Sequence, residues 1–261
     1  TEHFMKNGYE CIRCGKMYHK GNGNIDYDDK SRWTRVISEN EGITSSDKKS
    51  RPLEGPGVEL ADQGKRVGSP FSYGPTGRDD IDELDGKVAE QGIRLLSEKR
   101  GPDAPPRLLA LGFHATHLPF AAPDKYFDLY SLDDIKLPPN NDTDEDGMPL
   151  DPKKLDEQQP HTIDQWKKAI LSQYATLSFV DAQVGRVLEA LAKSERGKDT
   201  IVVLWSDHGF MLGEHFEWRK GPLYDHSALV AFLVKAPGVT PVGAVCTRPV
   251  ETMDLFPTLC D

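Results

Sequence analysis

The chain has 261 residues, with 42 Asp and Glu against 32 Lys and Arg, a formal charge of -10 and a pI near 5.3. Its overall field therefore repels nucleic acid and anionic membrane surfaces, and any anion site must be a local basic pocket. No apolar run approaches the roughly 20 residues that span a bilayer, and the opening TEHFMKNGYE has neither the charged nor the apolar region of a signal peptide. The expected partners are thus neither nucleic acid nor membrane, and the length suits one large α/β domain or part of a bigger one. No initiator Met is present and the first residues read as the end of a helix, so both ends are read as cuts in a longer chain.

In chain order, Thr1 to Asn7 with Gly8 reads as a helix end closed by glycine, and Tyr9 to Cys14 as a strand. Cys11 and Cys14 have CxxC spacing but no second pair to complete a zinc site, so they read as small buried space-fillers. Lys16 and His19 leave that strand at its end. Residues 20–77 are rich in Gly, Asn, Asp, Ser and Pro and read as a long loop, with Trp33, Val36 and Ile37 as anchors and Lys48, Lys49 and Arg51 on a solvated surface. From Asp79 to Arg100, Ile81, Leu84, Val88, Ile93, Leu95 and Leu96 recur at helical spacing behind Asp79 and Asp80 as caps.

Arg107 to Phe113 is a second strand, and His114 and His117 follow it at once. Residues 128–160 form a proline-rich acidic loop; its Asp142, Asp144 and Asp146 lack the glutamate that an EF-hand needs at the twelfth position, which here is Lys153. The clearest helix is Ile163 to Lys193, with Trp166, Ile170, Tyr174, Leu177, Val180, Val184, Val187, Leu188 and Leu191 as its apolar stripe. Thr200 to Trp205 reads as a buried strand of a parallel or mixed sheet, ended by Ser206, Asp207, His208 and Gly209. A lone Asp-His-Gly reads as a polar turn. Here Glu214, His215, Glu217, Trp218, Arg219 and Lys220 follow closely, and buried charges at a strand end need partners. Ligands collect at that edge of open α/β sheets, where a carboxylate and an imidazole can share a divalent cation and a lysine can meet an anion. Leu229 to Val234 is a third strand, and Val250 to Leu259 begins a helix.

Several of these stretches resemble the sulfatases of the alkaline phosphatase superfamily, most closely the iduronate-2-sulfatase-like branch. The resemblance is carried by Ser206-Asp207-His208-Gly209, Leu212-Gly213-Glu214-His215 and Trp218-Arg219-Lys220, by Asn7-Gly8-Tyr9 with Gly15-Lys16 and His19, and by Gly112-Phe113-His114 with His117, Pro119 and Phe120. Ser178 to Arg186 and Asp254 to Thr258 extend it. It implies an α/β fold with an alkaline-phosphatase-like central mixed sheet flanked by helices, present in part, residues 1–261 being a middle section of one catalytic domain. It further implies hydrolysis of a sulfate ester on a small molecule or sulfated sugar, in a secreted, periplasmic or lysosomal setting. Asp207 and His208 would hold one divalent cation, Ca²⁺, while Lys16, His19, His114 and Lys220 would act on the sulfate and His117 would contact substrate. Three strand ends would then bring these residues to one edge of the sheet.

The chain also departs from the family pattern. Ala115-Thr116 stand where the family has Lys-Pro, and Ala228 to Phe232 lacks the family's Arg. No Cys or Ser begins the Cys/Ser-x-Pro/Ala-x-Arg motif that becomes formylglycine, and no paired aspartates follow an apolar strand. Both are expected upstream of residue 1. The alternatives are a phosphate or phosphonate ester hydrolase of the same superfamily, and a catalytically dead relative that binds sulfated glycans.

Overall fold

The computed structural model describes residues 1–18, 29–37, 49–63, 71–139, 159–221 and 223–260. Their contacts divide into two units: the described residues up to Pro139 with those from 159 to Ser194, and those from Glu195 onward. Along the first run α1 (Glu2–Lys6), β1 (Glu10–Gly15), β2 (Arg35–Ile37), α2 (Pro56–Asp62), β3 (Tyr73–Pro75), α3 (Leu84–Leu96), β4 (Arg107–Gly112), β5 (Phe120–Ala122), α4 (Asp124–Phe127) and α5 (Ile163–Lys193).

Strand β1 lies between β2 and β4, parallel to both. Parallel neighbours need a crossover, and α3 immediately precedes β4 and supplies the packing for one. Its Val88 and Leu95 meet Ile12, Cys14 and Ile37 of the sheet, all at most 1 % exposed. Burying each such aliphatic side chain contributes roughly 1.5–3 kcal/mol. Cys11 and Cys14 are buried free thiols, as their small apolar character suggests. A second cluster joins Ala122 and Tyr126 to Ala175 and Phe179 of α5, beside the parallel β3–β5 pair.

Three expectations for this unit are corrected. Residues 20–77 are not one loop: β2, α2 and β3 fall inside them, and Trp33 and Ile37 are buried anchors. The helix expected from Asp79 begins later, because Asp80 to Asp82 form a separate 3-10 turn and Glu83 caps α3. Asp80 is engaged elsewhere, by Lys125, Tyr126 and Gln183, and Ile81 and Leu84 are exposed. Helix α5 has the expected ends, with Thr162 accepting the Gln165 N–H at its start. Its buried face matches the expected stripe only in part: Trp166, Ile170 and Leu191 are buried, but Tyr174, Leu177 and Leu188 are exposed, whereas Gln173, Thr176 and Gln183 are buried. Gln183 is held inside by Asp80 and Arg186, so hydrogen bonding outweighs its polarity. His19, Lys48 and the Asp142–Asp146 cluster lie outside the described residues.

The second unit holds β6 (Val202–Trp205), β7 (Met211–Leu212), β8 (Trp218–Arg219), α6 (Asp225–Ala228), β9 (Phe232–Lys235) and α7 (Leu255–Cys260). The ladders β6–β9 and β7–β8 are both antiparallel. The third strand therefore starts three residues later than expected. The buried strand expected at Thr200 to Trp205 is also corrected, since Leu204 and Trp205 of β6 are 41 % and 37 % exposed. An apolar run reports a face that favours burial, but among the described residues β6 pairs only with β9. At the C-terminal end, Glu251 and Asp254 form a reciprocal capping box ahead of α7.

Candidate functional site

In the first unit the site is built where β1 and β4 end side by side. Gly15 and Gly112 face each other in register, and the Lys16 N–H donates to the Gly112 carbonyl at 3.0 Å. A Cβ on Gly15 would lie 2.2 Å from the Gly112 oxygen, and one on Gly112 would lie 1.9 Å from the Lys16 oxygen. Only glycine at both positions lets the backbones approach so closely. Lys16 and His114 thus leave the C-terminal ends of adjacent parallel strands.

Beyond β4 the chain turns sharply, the His117 N–H donating to the His114 carbonyl at 2.8 Å. This brings the two imidazoles into a stack, with centroids 5.1 Å apart and 18° between planes. The Leu118 carbonyl, an acceptor only, lies 2.8 Å from His117 Nδ1, so that nitrogen donates and Nε2 of the neutral ring keeps its lone pair. Beneath the turn sits Asp85 of α3, 2 % exposed. Its carboxylate accepts the His114 N–H at 2.8 and 2.9 Å and the Ala115 N–H at 2.6 Å. Burial raises its pKa to about 6, against the opposing pull of those N–H groups and of Lys16. Asp85 escaped the reading of the sequence: an Asp in the first helical turn signals only a cap.

In the second unit Asp207 and His208 follow β6. The turn is fixed by Gly209, whose N–H donates to Ser227 O at 2.7 Å and whose Cβ, if present, would lie 2.1 Å from His226 O. His208 Nδ1 lies 2.7 Å from the Gly209 carbonyl and is therefore the donor, leaving the Nε2 lone pair directed at Lys220 Nζ, 2.8 Å away. Asp207 accepts the His208 N–H through Oδ1 at 3.1 Å and places Oδ2 3.6 Å from Nε2. Lys220 follows β8, whose Trp218 and whose hairpin partner Met211 are 2 % and 0 % exposed. The hairpin carries His215, Phe216 and Arg219 at φ 53, 58 and 78, a concentration of left-handed non-glycine residues of the kind that gathers at functional sites. His215 also stacks on Tyr224, with centroids 4.2 Å apart.

Asp207 Oδ2 and His208 Nε2 are close enough to share one cation, provided Lys220 leaves Nε2. They fit part of a metal shell: calcium takes roughly six to eight oxygens, and no set of three or more His, Cys, Asp or Glu among the described residues could hold a metal. The structure thus joins Lys16, His114 and His117 in one unit, and Asp207, His208 and Lys220 in the other.

Comparison with known proteins gives these two sets a common context. The family model described as Sulfatase matches residues 6–261. The chain belongs to the sulfatase family. A sulfatase of Formosa agariphila is 32 % identical over 271 residues, covering 100 % of this chain and 51 % of that protein. Iduronate 2-sulfatase of Homo sapiens is 30 % identical over 277 residues, covering 99 % and 48 %. Among solved structures, a phosphonate monoester hydrolase of Agrobacterium radiobacter shares the fold, with a TM-score of 0.58 at 18 % identity over 90 % of this chain and 51 % of that one. The sulfatase chain accordingly spans about half the length of the curated relatives it matches.

Proposed function

We propose that this chain supplies part of the active site of an enzyme that hydrolyses a sulfate ester carried by a sugar. The observation that carries the reading is the contact between His208 and Lys220, beside Asp207: a carboxylate, an imidazole lone pair and an ammonium group meet at a strand end, in a chain whose relatives include iduronate 2-sulfatase. Lys16, His114 and Lys220, with His19, supply positive charge or N–H donors to sulfuryl oxygens, where preorganised donors stabilise developing charge. His114 is the group suited to protonate the leaving oxygen, and His117, stacked on it, contacts the substrate. A Ca²⁺ ion on Asp207 and His208 would polarise the sulfate. The nucleophile, a formylglycine by resemblance, belongs to a part of the protein outside these residues.

The test is to express the longest protein encoded by the reading frame and measure inorganic sulfate released from a sulfated disaccharide, with bound metals determined in parallel. Sulfate release with calcium bound supports the proposal. Turnover of a phosphonate monoester with zinc or manganese bound favours the phosphoryl-transfer alternative. Tight binding of the sulfated sugar without turnover favours the binding relative, for which Ala115-Thr116 in place of Lys-Pro is the supporting observation.

A further inference from the structure

Asp85 is a buried carboxylate at this site that neither the sequence pattern nor the proposed chemistry uses. It is almost wholly buried, and a buried carboxylate is costly unless its oxygens are satisfied. Here the donors are two successive backbone N–H groups, of His114 and Ala115. Those amides begin the segment that carries the stacked imidazoles. They lie beyond the β-ladder, since the register of β1 with β4 ends at Gly15 and Gly112. The base of the clamp is rigid as well. Gly86, next in α3, packs so closely on Asp80 that a Cβ would lie 1.7 Å from the Asp80 carbonyl oxygen, and Asp80 is tied to Tyr126 at 2.7 Å and Gln183 at 3.0 Å.

We infer that Asp85 is a positioning residue for the proposed sulfate-ester chemistry: its carboxylate clamps the His114 and Ala115 amides and thereby sets where the His114 imidazole stands. The inference rests on the sulfatase reading for its kinetic consequence but not for its structural one. Asp85 is 2 % exposed and acts through this segment rather than on the ester itself. Charged groups near it are Lys16 at the end of β1 and Glu83 before α3, and the ring of His114 lies on the segment it holds. With the clamp open, the segment loses the hydrogen bonds that fix its start on α3, and His114 moves relative to the reacting ester. Misplacement of about 1 Å can lower turnover roughly 100-fold, with little change in KM because ground-state binding is shared with the lysines.

The test uses the full-length protein and the variants Asp85→Ala and Asp85→Asn. Asparagine keeps one oxygen able to accept an N–H; alanine keeps none. Hydrogen exchange at the His114 and Ala115 amides should accelerate at least about 100-fold in Asp85→Ala and recover in part in Asp85→Asn. With a sulfated disaccharide, kcat per folded molecule should fall about 100-fold in Asp85→Ala and about tenfold in Asp85→Asn, with KM within about threefold. Unchanged exchange in Asp85→Ala overturns the inference. So does lost protection with unchanged kcat, since the contact would then be structural only. If the unmutated protein releases no sulfate, the sulfatase reading fails separately. Positioning is then judged from exchange and from the shift of the His114 ring signals on adding inorganic sulfate. Loss of that shift in Asp85→Ala supports the inference, and its persistence overturns it.

Discussion

The buried carboxylate of Asp85 should give this protein a local pH dependence opposite in sign to that of most carboxylates. Its pKa rises from 3.8 unfolded to about 6 folded, chiefly through burial, which corresponds to about 3 kcal/mol. Between these values the folded state binds more protons than the unfolded state, so stability falls as pH rises. Below about pH 4 the group is protonated in both states and contributes nothing. From about pH 4 to pH 7 the cost of carrying the charge indoors is progressively felt. Lowered carboxylates such as Asp80 act the other way and lose stability in acid. The comparison of wild type with Asp85→Asn isolates the effect, since asparagine does not titrate and any difference in hydrogen bonding offsets all pH values alike. Urea unfolding of both proteins, followed by tryptophan fluorescence at several pH values, should show wild type gaining about 3 kcal/mol over the variant between about pH 7 and pH 4. A flat difference would refute the argument. A slope of the opposite sign would show that the His114 and Ala115 N–H groups outweigh burial.

Two further outcomes follow from the second unit. Lys220→Ala should lower turnover by about 100- to 1000-fold while the unfolding midpoint shifts little, because Lys220 bonds His208 at a half-buried position outside the core; an unfolded variant with normal activity in its folded fraction would make the lysine structural. Gly209→Ala should cost about 1–3 kcal/mol, because its Cβ would meet the His226 oxygen at 2.1 Å, and should weaken metal binding through displacement of Asp207 and His208; unchanged stability in urea would show that this close approach is not needed.

What could be read from residues alone depended on how local its cause was. The ends of α5 were legible because Thr162 caps the helix and the periodicity is long. Its buried face was legible only in part, because Gln183 is held inside by Asp80, 103 residues away in sequence, together with Arg186 one turn along the same helix. The strands β2 and β3 have three residues each, too few for alternation to register. Lys16, His114, Asp207 and His208 were legible as polar residues just beyond apolar runs, which is where a sheet delivers them. Asp85 was not, since its burial is decided by the turn after β4, and the hydrogen bond between His208 and Lys220 depends on the return of a hairpin. The family resemblance was carried by the residues of the motifs in their order, from Ser206-Asp207-His208-Gly209 to Trp218-Arg219-Lys220, and the family model bears it out.

The proposal that Asp207 and His208 hold a catalytic cation in a sulfate-ester hydrolase is tested most directly by one paired measurement. Calcium per molecule and sulfate released from a sulfated disaccharide are determined for the full-length protein and for Asp207→Ala. If Asp207 and His208 hold the cation, removing the one carboxylate of that pair should lower calcium affinity and turnover together, each by at least about tenfold. Unchanged calcium content with normal sulfate release would contradict the account and remove Asp207 from the site.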